Sequence, residues 1–141
     1  MKTLQKLAVR MSVVWILSAI PAMAQIDNAL TFQAPSAFYA GNAKLPAGSY
    51  RVTQPDGDSE LLLIESADGS HSVFVDYWTD DSGAAPAKNE VSFNKYGTTE
   101  FLARISIQGQ NSLQILPSKA EQKAAKIGSS ERHSLSAKNG R

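Results

Sequence analysis
Apolar and polar residues alternate one by one along most of this chain, the period of a β-strand with one covered face. Leu30, Phe32, Ala34, Ser36 and Phe38 share a phase. Pro35, on the opposite phase, has no N–H for a ladder and favours an edge position or a break into two short pieces. A second strand runs from Ser49 to Gln54 with Tyr50 and Val52 on one face. Leu61 to Ile64 is apolar on both phases, as in a strand covered on both sides or one that changes face at a bulge. From Ser72 to Trp78, Val73, Val75 and Tyr77 face one way and Phe74 and Trp78 the other. Asn89 to Tyr96 and Thr99 to Ile107 flank Gly97-Thr98 as a hairpin, with Phe101, Ala103, Ile105 and Ile107 on one face, and Ser112 to Leu116 is a short last strand.

Turn chemistry separates these runs. Residues 41–52, GNAKLPAGSYRV, combine two residues that can visit positive φ, a proline that extends Leu45, and Gly48 at the next bend. Asp56-Gly57-Asp58 and Ala67-Asp68-Gly69-Ser70 are further turns, and residues 79–88 form the longest internal loop. At Pro117-Ser118 the period changes. Ser118 with Glu121 has the form of a capping box, and Ala120, Ala124 and Ile127 would share one helical face up to Gly128. The pattern predicts an all-β fold, an antiparallel β-sandwich or partly closed barrel of about seven strands with a short C-terminal helix. Its single domain spans residues 30–127, with the helix at about 118–127. A flexible lead-in at 25–29 precedes it, and a polar, disordered tail at 128–141 follows.

The first 24 residues have the form of a secretory signal peptide: Lys2, Lys6 and Arg10, an apolar run from Met11 to Ile20, and Ala22-Met23-Ala24 as a cleavage site. An apolar run of about ten residues falls short of the roughly 20 that span a bilayer. The expected product is secreted or periplasmic, with no stable membrane anchor after cleavage. Losing three of 14 basic residues against 13 acidic ones changes the formal charge from +1 to −2. Nucleic acid is therefore not an expected partner. The chain has no cysteine, which excludes a disulfide framework and thiol chemistry.

Motif by motif, little catalytic material is present. There is no nucleophile elbow, no zinc-protease helix and no phosphate-cradling glycine loop, and only His71 and His133 supply imidazole. No catalytic residue and no cofactor is implied. Tyr77, Trp78, Asp80 and Asp81 are weak candidates for ligand binding, the two aromatics as a sugar platform. Asp56, Asp58 and Glu60 alternate as three oxygen donors for a hard cation, although Ala67 stands where a calcium loop needs its bidentate glutamate.

Phe32, Pro35, Phe38, Gly41-Asn42, Leu45-Pro46-Ala47-Gly48, Tyr50 and Val52, followed by Tyr96-Gly97, Phe101-Leu102 and the Leu116-Pro117-Ser118 to Glu121 junction, occur in that order. This set resembles the signature of a group of uncharacterised small secreted bacterial proteins. The resemblance implies export and a common β-rich framework, and carries no activity, cofactor or catalytic residue. Ser36 departs from it, standing where an aromatic is common. The expected function is a non-enzymatic binding or structural module of the cell envelope or extracellular space, with a protein or glycan partner. The alternatives are a small carboxylate-dependent hydrolase acting on carbohydrate and a weak calcium-dependent module.

Overall fold
The structure, a computed structural model, describes residues 29–55 and 60–140. The leader, Gln25 to Asn28, and Asp56 to Ser59 lie outside the described residues. The described residues adopt an all-β architecture with one short helix: β1 (Leu30–Ala34), β2 (Phe38–Ala40), β3 (Ala43–Leu45), β4 (Gly48–Thr53), β5 (Leu61–Ser66), β6 (Ser72–Asp80), β7 (Glu90–Tyr96), β8 (Thr99–Ser106), β9 (Ser112–Ile115), α1 (Lys119–Ile127), β10 (Glu131–Ser136) and β11 (Lys138–Asn139). Eleven strands replace the expected seven for three reasons. The first predicted strand is broken at Pro35 into β1 and β2, Ala43–Leu45 folds back on β2, and the tail adds two strands.

The main path runs β10-β7-β8-β9-β6-β5-β4-β1-β11. Pairing is antiparallel except where Tyr39 of β2 lies parallel to Phe101 of β8, so the sheet is mixed rather than purely antiparallel. Its two outermost strands, β10 and β11, belong to one segment and are separated by Ala137 alone. β10 pairs with β7 and β11 with β1, so this segment straps together the two ends of a sheet that must curl back on itself. No continuous ladder closes it into a barrel, because the strap changes partner at Ala137.

The segment 128–140 is therefore not a disordered tail. His133, Leu135 and Ala137 recur at period two and turn toward the core, with Ser134 and Ser136 between them. Asn89 Nδ2 donates to Asn139 Oδ1 at 3.1 Å, and Gly140 N donates to Ala29 O at 2.8 Å. Ala29, expected in a flexible lead-in, is buried beneath that contact.

The inner face carries one core, and at its centre four rings meet. Phe38 lies 5.0 Å from Tyr50, 5.3 Å from Phe93 and 5.9 Å from Phe32, centroid to centroid. The Pro46-Ala47-Gly48 corner is fixed to this cluster because the Tyr50 hydroxyl donates back to Pro46 O. Burial raises the pKa of that hydroxyl, and the nearby Asp68 charge adds to the effect. Gly41 turns β2 into β3 with φ +61°, and a Cβ there would meet Val75 Cγ1 at 3.4 Å; Asn42 keeps negative φ.

Strand β8 departs from simple alternation. Ser92 pairs with Arg104 and Phe93 with Leu102, which leaves Ala103 as an extra residue at a bulge. The bulge reverses the phase, so Leu102 joins Ile105 in the core. Phe101, expected to share a face with Ile105, packs instead on Tyr39 at 5.1 Å and Tyr96 at 5.8 Å.

Helix α1 begins at the predicted cap, with Glu121 N donating to Ser118 Oγ at 3.1 Å. The Glu121 side chain does not close the reciprocal half of a capping box. It is buried and accepts from Asn94 Nδ2 at 2.8 Å, tying the helix to β7. Ile127, expected on the docked face, is 89% exposed.

Burial raises the Glu121 pKa, opposed by the Asn94 hydrogen bond and the Arg132 charge. A carboxyl raised above its unfolded value stabilises the fold below that unfolded value and loses the contribution as pH rises through the folded one. Glu121→Gln keeps the acceptor for Asn94 without the charge, so its Tm should exceed wild type near neutral pH. The two melting curves should converge toward about pH 4. A lower Tm for the variant at neutral pH would contradict this account.

Candidate ligand cavity
At the end of the inner face away from the Pro46 corner, the core is incompletely filled and leaves a hollow of about 330 Å³. Leu30, Val52, Leu62, Ile105, Ile107 and Leu113 give it an aliphatic floor, and Thr53, Gln54, Tyr77, Thr79, Gln110 and Asn111 supply its polar groups. The floor follows from strand alternation: Val52, Leu62 and Ile105 each occupy the buried phase of their strands. The polar residues come from the ends of β4 and β6 and from the turn between β8 and β9. No described lining residue carries a charge. Gln54 Nε2 donates to the Tyr77 hydroxyl at 2.7 Å, which leaves the phenolic proton free to donate to a second acceptor.

The structure separates the residues singled out from sequence. Tyr77 is buried and lines the cavity, whereas Trp78, next to it, is 50% exposed on the outer face of β6. Adjacent strand residues point to opposite faces, so the two cannot form one platform. Trp78 shares its face with Phe74, 58% exposed, and with Asp76 between them. Asp80 is occupied by Ser82 N at 3.1 Å, the Ser82 hydroxyl, Gln114 Nε2 at 3.2 Å and Arg104 Nη2 at 3.5 Å. The Ser82 hydroxyl, followed by the Ser82 N–H, holds its carboxyl below the usual range. It clamps the start of the loop to β8 and β9, while Asp81 is exposed.

Asp56 and Asp58 lie outside the described residues, and Glu60 is exposed. Among the described residues no three acidic or imidazole groups converge on a common point. His71 is exposed beside Asp68, whose carboxyl is driven far below the usual range by the Ser70 hydroxyl, then by Ser70 N–H and the Ser66 hydroxyl. These bonds close a turn.

A polar constellation that the sequence did not announce lies near the Phe93 end of the core. Glu100, 5% exposed, accepts from Ser36 Oγ at 2.9 Å and pairs with His133 Nδ1. Ser36 comes from the β1–β2 connection, Glu100 from β8 and His133 from the strap. The Ala103 bulge brings this about, because it puts Glu100 in the same inward phase as Leu102. Ser36 donates to the carboxylate and not to the imidazole, so the trio lacks the nucleophile-to-base bond of a hydrolase. Its visible work is to join three distant segments.

No protein-family model, curated protein or solved structure matches this chain.

Proposed function
We propose that this chain is an exported, non-enzymatic binding module acting in the periplasm or outside the cell, and that the cavity between Leu30 and Leu113 is where it binds. The observation that carries the reading is the hollow itself, an aliphatic concavity with hydrogen-bonding groups at one end of the core. Small-ligand sites have this composition and reach roughly this size at their lower limit. The leader pattern supports export, and the resemblance to small secreted bacterial proteins supports the same compartment.

N-phenyl-1-naphthylamine, a neutral apolar dye whose emission rises on leaving water, tests the site. Chain beginning at Gln25 should bind it, and Leu113→Trp, which enlarges a side chain of the lining, should weaken binding at least about tenfold. Leu113 is only partly buried, so the variant should still fold with a comparable circular dichroism spectrum. Equal dye binding by a folded Leu113→Trp chain would remove the cavity as the site. Export is checked by the intact mass of product outside the cytoplasm, expected to begin at Gln25.

A further inference from the structure
We infer that the cavity takes an uncharged amphiphile, an aliphatic chain capped by one neutral hydrogen-bonding head such as a primary amide or alcohol. The inference rests on the binding reading above and deepens it. Three features of the lining define this class.

The floor is built from branched aliphatic side chains, and Tyr77, the single ring among the described lining residues, stands with the polar groups. A flexible hydrocarbon tail fills such a floor by dispersion and area burial without any stacking partner. The polar groups are two hydroxyl-bearing threonines, three carboxamides and one phenol, which together can donate and accept. They can satisfy a neutral head from both sides.

Among the described residues the lining also holds no Lys, Arg, His, Asp or Glu to compensate a charge. A carboxylate or ammonium drawn into it would leave water without an ionic partner, whereas an amide or hydroxyl exchanges one set of hydrogen bonds for another. The Tyr77 hydroxyl marks the head position. It accepts from Gln54 Nε2, and that bond orients the phenol so that its proton is presented to an acceptor on the ligand.

Displacement of N-phenyl-1-naphthylamine by decanamide, decanoate and decylammonium at about pH 7.5, below their aggregation limits, tests the inference. Decanamide should displace the dye, and the two ions should require at least about tenfold higher concentration. Tyr77→Phe should weaken decanamide about three- to tenfold, the loss of one hydrogen bond, read against the dye affinity measured for the variant itself. If the dye never binds, the binding reading fails and this inference with it. If the dye binds and either ion displaces it as well as decanamide does, the neutral-head inference alone is overturned. The same holds if decanamide fails to displace it. If Tyr77→Phe binds decanamide like wild type, the head is not where this inference puts it.

Discussion
Chain truncated after Gly128 is expected to lose its cooperative thermal transition and to associate in solution. The deletion strips β10 from β7 and β11 from β1, so both ends of the sheet expose unpaired backbone groups at once. It also uncovers Phe93, which His133 approaches at 6.2 Å, and leaves the buried Glu100 carboxylate with Ser36 as its remaining hydrogen-bond partner. A charge buried with one neutral partner is unfavourable by several kcal/mol in general, a sizeable part of the about 5–15 kcal/mol that holds small domains together. A graded variant separates the ladder from the Glu100 contact: His133→Ala keeps β10 and should lower stability by about 1–3 kcal/mol. Calorimetry and sedimentation of the three chains decide the matter. A truncated chain that is monomeric and melts at the wild-type temperature would show that the strap is dispensable.

The second large effect is expected at Phe38. Its ring touches Phe32, Tyr50 and Phe93 together and therefore connects β2 to β1, β4 and β7. Phe38→Ala should destabilise by about 3–5 kcal/mol, through lost burial and the cavity left among three rings that cannot all move inward. Phe38→Leu, closer in volume, should cost less than half as much. Urea unfolding of the chain from Gln25 measures both. An Ala variant within about 1 kcal/mol of wild type would mean that the rings do not form one packed unit.

How much of this could be read beforehand depended on whether a feature obeyed one local period. Strand β6 was legible because alternation runs through it unbroken, from Val73 through Val75 to Tyr77 inside and Phe74 and Trp78 outside. The helix start was legible because Ser118 caps by contact with a residue three positions away. The β8 reading failed because one extra residue, Ala103, reverses the phase without altering composition. That reversal hid Glu100, and Ser36, read as a strand position and as a departure from the common aromatic, gave no hint of its partner 64 positions away.

The strap was missed for a different reason. Its polar content outweighs the faint recurrence of His133, Leu135 and Ala137, and only the ends of a curled sheet give that recurrence something to pair with. The cavity follows from how strand ends diverge, which residue order alone does not specify. Tyr77 was a candidate for binding and does line the cavity, but for its inward phase and not for its neighbour Trp78.

The strap also sets a timetable. Thr31 and Lys138 lie 107 positions apart, and the ladder between them joins the first described strand to the last. A chain synthesised N-terminus first can assemble the β4–β5–β6 meander early, yet cannot pair β1 with β11 until Lys138 and Asn139 have emerged. Contacts of such long range also slow the final step. Until that segment emerges, both ends of the sheet stay open to chaperones.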